Sequence, residues 1–330
     1  MKTANFFIVT LIIIGFAAGC KKGNDTEPPI DPVVIIKPDT IPTGWTKIVV
    51  DTAKQPINDI FFINNSLGYA GSSRTGILKS TDGGIHWNNV SSYRASNIAI
   101  TNDGKAFFVQ GNYSVFLKTI DGGISFTESN INTPILSDVF FSDNTTGMLA
   151  SISNISITTN SGIDWTPVVS FPNLKSSYTT AFMYDNNNAW VVYSNKIVHA
   201  NGNLNSWQTD TLIAQPGPNF GLVSVWATSP TTVFASSYSG YLYKSTNGGA
   251  SFAFTQKLNY GAINNFSDIH FINANTGFIS VGSRIYKTTD GGANWQMILA
   301  LGNTSILEIH FTDENHGWAC CADGTILKLN

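Results

Sequence analysis

The sequence predicts an all-β chain folded as a seven-bladed β-propeller, and three observations predict it. A short phrase, Ser80-Thr81-Asp82-Gly83-Gly84-Ile85-His86-Trp87, returns at intervals of about 39–45 residues, the span of a four-stranded blade. Every interval holds the same run of short apolar strands parted by polar turns. The last interval stops one strand short, while a strand without a blade stands ahead of the first.

Within each repeat the first strand is apolar on both faces, as in Ile60-Phe61-Phe62-Ile63 or Val139-Phe140-Phe141. First strands begin near Asn58, Asn97, Asp138, Thr180, Val223, Asp268 and Glu308, which counts seven blades. The second strand mixes small and aromatic residues: Gly68-Tyr69-Ala70-Gly71, Ala189-Trp190-Val191-Val192, Gly277-Phe278-Ile279-Ser280. The third, such as Gly76-Ile77-Leu78-Lys79, runs into the recurring phrase, and the fourth starts at its aromatic residue. Strands buried on both faces suit blades packed face to face around an axis. The seventh repeat ends at Leu327-Lys328-Leu329-Asn330, where its phrase is due. Trp45-Thr46-Lys47-Ile48-Val49-Val50 is therefore expected to complete blade seven and to remove the edge an open array would leave.

Composition agrees. The 330 residues are 42% hydrophobic and 12% charged, about half the charge usual in soluble domains. Asn, and 29 Gly, fill the gap; these residues tolerate the left-handed backbone of tight turns. A net charge of −3 lacks the basic stripe of a nucleic-acid binder. The 3 Cys, Cys20 alone and Cys320-Cys321 adjacent, form neither a disulfide framework nor a metal-ligand spacing. Alternation along a strand sends the Cys320 and Cys321 thiols to opposite sheet faces. There is no phosphate loop, dinucleotide fingerprint or nucleophile elbow, so no cofactor is expected.

The phrase recurs as Thr119-Ile120-Asp121-Gly122-Gly123-Ile124-Ser125-Phe126, as Thr158 to Trp165 with Asn160 for the Asp, as Ser245 to Phe252 with Asn247, and as Thr288 to Trp295 with Asp290. A worn copy spans Ala200 to Trp207. The Asp or Asn is placed to accept backbone N–H bonds within the turn, the second Gly to take positive φ, and the aromatic to bury against its own blade. These residues resemble the Asp-box, or bacterial-neuraminidase (BNR) repeat, found in sialidases, sortilin-type receptors, xyloglucanase-type glycosidases and photosystem II assembly-factor-like propellers. The wording of the repeats looks most like the last of these. The resemblance implies that Asp82, Asp121, Asn160, Asn247 and Asp290 are structural. It implies a non-enzymatic binding or assembly platform, since the box specifies architecture far better than activity.

Residues 1–19 read as a signal segment, with Lys2, an apolar run from Phe6 to Ile14 and small residues before Cys20. Ala17-Ala18-Gly19-Cys20 resembles the lipobox of bacterial lipoproteins, with Ala in place of the commoner Leu. That resemblance implies lipidation at Cys20 and anchoring at the outer membrane or cell surface. Residues 20–43 are a Pro-rich linker that stays extended, and 44–330 form the propeller, expected to be monomeric.

In a repeat protein, features that break the consensus are the functional candidates. Acids open the first strand in four blades: Asp59, Asp138, Asp268 and Glu308. In a closed ring Asp59, Asp268 and Glu308 form an arc at the channel mouth, where two carboxylates at the right spacing give glycosidase chemistry. Recurrence in four blades favours the alternative, in which each acid ties down its incoming loop. His270 and His310 lie two residues on, where Phe61 and Phe140 stand in other blades, and read as core residues rather than metal ligands. All three Arg fall on the same loop face as the acids. An arginine triad would clamp a sialic-acid carboxylate, but Arg74 and Arg94 crowd blade one and its exit, with Arg284 in blade six. Arg74, Tyr113, Tyr178, Tyr193, Phe220, Tyr238, Tyr260 and Arg284 make up the candidate binding surface, suited to an envelope protein or glycan.

Overall fold

The computed structural model describes residues 41–330 except 73, 102, 111–114, 132–135, 171–178, 212–220 and 259–266. The signal segment, Cys20 and most of the linker lie outside the described residues. The chain opens with β1 (Trp45–Val49). Blade one follows as β2 to β5 (Asp59–Phe62, Gly68–Ser72, Gly76–Ser80, Asn88–Ser91) and blade two as β6 to β9 (Asn97–Ile100, Ala106–Gln110, Val115–Thr119, Thr127–Asn130). Blade three is β10 to β13 (Leu136–Phe141, Gly147–Ser151, Asn154–Thr158, Thr166–Ser170) and blade four β14 to β17 (Thr179–Met183, Ala189–Tyr193, Lys196–Ala200, Gln208–Thr211). Blade five is β18 to β21 (Leu222–Ala227, Val233–Ser237, Tyr241–Ser245, Ala253–Lys257) and blade six β22 to β25 (Ser267–Phe271, Gly277–Val281, Arg284–Thr288, Gln296–Ala300). Blade seven has β26 to β28 (Ile306–Phe311, Gly317–Cys321, Thr325–Leu329) and is completed by β1, in the order β1-β28-β27-β26. The protein is a seven-bladed, all-β propeller, closed as the sequence predicts. Trp45 pairs with Leu329 and Val49 with Thr325, and Asn330 N donates to the Gly44 carbonyl at 2.7 Å.

Blade-to-blade packing explains the composition of the first two strands. Phe62, Phe141, Phe271 and Phe311, which end first strands, lie across Gly68, Gly147, Gly277 and Gly317, their cross-strand partners. The other face of each ring stacks on a second-strand ring of the preceding blade: Phe62 on Trp318 (3.5 Å), Phe141 on Phe107 (4.0 Å), Phe271 on Phe234 (4.6 Å), Phe311 on Phe278 (3.6 Å). Where the first strand ends on a smaller residue the partner grows, giving Ile100 with Ala106, Met183 with Ala189 and Ala227 with Val233. A Cβ on Gly277 would sit 2.5 Å from the Phe271 ring, so Gly277→Ala should cost about 1–3 kcal/mol by overpacking. Urea unfolding measures this, and an unchanged midpoint would show that the ring has room to move.

The five Asp-boxes share one turn. The opening hydroxyl accepts the second-glycine N–H, as Ser80 Oγ does from Gly84 (2.8 Å) and Thr288 Oγ1 from Gly292 (3.0 Å). The Asp or Asn oxygen accepts the N–H four residues on: His86 to Asp82, Ser125 to Asp121, Asp164 to Asn160, Ser251 to Asn247 and Asn294 to Asp290, each at 2.9 Å. These bonds hold the Asp82 and Asp121 carboxyls well below the usual range and Asp290 at about 2. The glycines have positive φ, and Ser161, standing for the first Gly in box three, takes φ 60°.

A second role of the box lies between blades. The carbonyl at the first-glycine position accepts a hydrogen bond from the blade before it. Lys79 Nζ donates to Gly122 (2.6 Å), Lys118 to Ser161 (2.8 Å) and Lys244 to Gly291 (2.9 Å). Trp318 Nε1 serves Gly83 (2.9 Å) and Trp190 serves Gly248 (2.7 Å). Blade three has Ile157 in place of the lysine, and the box it would serve is the worn one. Lys287 precedes the blade without a box and pairs instead with Glu314.

Candidate functional site

One polar residue per blade opens the channel-lining strand: Asp59, Asn97, Asp138, Thr180, Ser224, Asp268 and Glu308. Their bonds run from blade to blade. Asp59 accepts the Ile98 N–H (2.6 Å), Asp138 the Ala181 N–H (2.8 Å), Ser224 the Ile269 N–H (3.2 Å) and Asp268 the Ile309 N–H (3.3 Å). Thr180 Oγ1 donates to the Val223 carbonyl (2.7 Å), and Asn97 Nδ2 to Asp138 (3.2 Å). This corrects the expectation that the acids tie down incoming loops. A first strand meets the axis beside its neighbour's first strand, whose N–H groups there have no sheet partner, and the carboxylates satisfy them.

Burial pushes these carboxyls up. Asp59 lies at about 8, with the charges of Asp138 and Asp268 adding to burial, Asp138 at about 7 and Asp268 at about 6. Glu308 is raised well above the usual range by burial and by the Asp268 and Asp59 charges, and its carboxyl hydrogen-bonds Asp268. The predicted arc of Asp59, Asp268 and Glu308 thus exists, with Asp138 as a fourth member that interacts with it. Its oxygens are engaged in holding blades together.

Two residues further along the same strands lies a belt of rings. Centroids are 5.0 Å apart for Phe140–Phe182, 4.3 Å for Phe182–Trp226, 4.5 Å for Trp226–His270, 4.8 Å for His270–His310 and 4.4 Å for His310–Phe61. Blade two supplies Ala99 at this level. His270 Nε2 donates to the Phe311 carbonyl (2.8 Å), and burial lowers its pKa to about 4. His310 is lowered well below the usual imidazole range by burial and by His270, and bonds the Phe62 carbonyl. His270 is buried, and His310 is half-buried within the belt. Among the described residues no three His, Cys, Asp or Glu side chains are placed to hold a metal ion. Cys320 and Cys321 are buried in different interblade cores, on opposite faces of β27.

On the loop face Arg74 and Arg94 are exposed, as is the ring of Tyr93, which precedes Arg94 in the chain. Asp51 accepts a hydrogen bond from Thr75 and anchors the Arg74 turn. Arg284 and Tyr238 are half-buried, and the Tyr238 N–H donates to the Gly221 carbonyl (2.7 Å). Tyr193 departs from expectation. It is 6% exposed and packs with Val191, Val198 and Met183, because β15 is buried on both faces. Tyr113, Tyr178, Phe220 and Tyr260 lie outside the described residues. The blade-to-blade donors escaped sequence reasoning, although a signal was present: a lysine directly precedes the box hydroxyl in blades one, two, five and six.

Seven four-stranded blades, Asp-box turns and an N-terminal closing strand define a BNR-type propeller. Residues 37–173, through the first three blades, match the family described as Photosynthesis system II assembly factor YCF48. Over those residues the chain resembles that family, and its fold is that of a seven-bladed BNR-type propeller. A structure of YCF48 bound to D1 peptide is 16% identical, covers 88% of this chain and 97% of its own, and superposes with a TM-score of 0.70. YCF48 from Cyanidioschyzon merolae is 18% identical over 87% of this chain and 98% of its own, with a TM-score of 0.68. The GH74 xyloglucanase from Xanthomonas campestris is 13% identical, with a TM-score of 0.68 over 87% of this chain and 54% of the enzyme. No curated protein matches. At these identities the likeness to solved structures is one of fold.

Proposed function

We propose that the protein is a non-enzymatic binding and assembly platform of the cell envelope, which holds an extended segment of a partner protein on its loop face. The single observation that carries this reading is the fold shared along almost its full length with a YCF48 that binds a peptide. It is supported by the channel acids, whose oxygens are engaged between blades, and by exposed Arg74 and Arg94 on the loops. Cys20 is the proposed lipid anchor and residues 20–43 the stalk. Crosslinking in cells and capture from the membrane fraction test the proposal. One envelope protein should be enriched repeatedly, and less of it by Arg74→Ala/Arg94→Ala. Cys20→Ser should release the protein from membranes. Capture of the same proteins by wild type and the double variant would refute the assigned face.

The xyloglucanase likeness keeps a second reading, glycoside hydrolysis by Asp59, Asp268 or Glu308. Assay on xyloglucan and chromogenic glycosides separates the two: turnover that disappears in Asp268→Asn would replace the platform reading with the enzymatic one.

A further inference from the structure

Exposed isoleucines gather on blades one to three. Ile85, Ile124 and Ile163 follow the second-glycine position of their boxes and are 52%, 88% and 73% exposed; Ile120 is 70% exposed. The boxes of blades five and six carry Ala250 and Ala293 at the same position. The turn is bonded through its hydroxyl, Asp or Asn and backbone, so the fold asks nothing of this side chain. Ile120 and Ile163 both line a cleft of about 290 Å³ between blades two and three, with Phe116, Lys118, Thr127 and Ser129 along it.

Thr127 and Ser129 belong to β9, the outermost strand of blade two, whose far edge pairs with no described strand. Outer strands are commonly guarded by Pro or Lys. Here β13 carries Pro167, β21 Lys257 and β1 Lys47, whereas β9, like β5, β17 and β25, carries neither, and β9 is the one that borders this cleft. The surroundings are acidic. Asp121 is held anionic by its turn, Asp164 is exposed beside Ile163, and Glu128 is exposed on the opposite side of β9 from Thr127 and Ser129. The cation in the cleft, Lys118, is committed to the Ser161 carbonyl.

We propose that this cleft receives a second protein segment, extended and cationic, added as a fifth strand beside β9. Alternate apolar residues of the segment lie over Ile120 and Ile163, while its Lys or Arg residues flank Glu128. This site is separate from the loop face.

The test uses the full chain and a fluorescein-labelled probe, acetyl-Lys-Val-Lys-Val-Lys-Val-amide, read by anisotropy. Binding is expected on the order of 10–100 μM, as suits a short exposed strand. It should weaken at least tenfold in Ile120→Ser/Ile163→Ser and in Glu128→Lys, fall with added salt, and stay unchanged in Arg74→Ala/Arg94→Ala. The surface substitutions should leave the melting temperature as in wild type, which separates lost binding from lost fold. Equal binding of the Glu-Val counterpart, no binding of the cationic probe, or full affinity in the isoleucine variant would overturn the proposal. So would sedimentation showing that the cleft is covered by a second copy of the chain.

Discussion

Trp45→Ala should lower stability by about 3–5 kcal/mol, the range for truncating a buried tryptophan. Trp45 lies in the core between blades six and seven, edge-on to Phe311 at 6.4 Å, together with Phe278, Leu299 and Leu327. It is also the first residue paired to β28, so its loss loosens the strand that closes the ring. A loosened β1 uncovers the β28 edge, and concentration-dependent light scattering should rise with it. Val49→Ala at the far end of the same strand is the control. Val49 is exposed, and its truncation should stay within about 0.5 kcal/mol. Urea unfolding of the two variants decides the matter; equal midpoints would show that β1 closes nothing.

Stability should also fall as pH rises from 7 to 9, and Glu308→Gln should flatten that fall. Asp59, Asp138 and Glu308 bind protons more tightly in the fold than in the unfolded chain, where carboxyls titrate near pH 4. Their stabilising contribution is therefore complete below about pH 4 and is lost as pH rises through their folded values. His270 and His310, lowered in the fold, have the opposite sign: they cost stability as pH falls below about 6.5. Above pH 7 the histidines are neutral in both states, and near pH 9 the Cys320 and Cys321 thiols, raised by burial, add to the loss from the acids in both proteins alike. Glutamine at 308 keeps a donor for Asp268 and removes a group that would otherwise ionise. Part of the alkaline loss should disappear, bounded by about 1.4 kcal/mol for each pH unit over which one group would ionise. Melting curves at pH 7, 8 and 9 measure it. Parallel pH dependence in both proteins would show that Glu308 does not ionise with the ring.

Blade number, box geometry and closure were legible because each is written several times in the chain, or, for closure, as a surplus strand at one end and a deficit at the other. The acid ring was legible as a set of residues but not as a set of bonds. The pattern predicts that the first strand of blade five begins near Val223, yet a bulge between Leu222 and Ser224 puts Ser224 in the ring. Similar bulges precede Asp138 and Glu308. Which side chain reaches the next blade depends on that irregularity, which hydrophobic patterning does not record. Tyr193 failed for a related reason: a strand buried on both faces has no alternation by which to tell an outward ring from an inward one.

The closing pair has a consequence for biosynthesis. Thr46 and Asn330, bonded side by side in blade seven, stand 284 residues apart in the chain. At ribosomal speeds of about 5–20 residues per second, β1 waits roughly 14–57 s for its partner to be made. Throughout that interval a tryptophan-bearing strand is unmatched, and the nascent chain must be kept from pairing it with a neighbour's unfinished sheet.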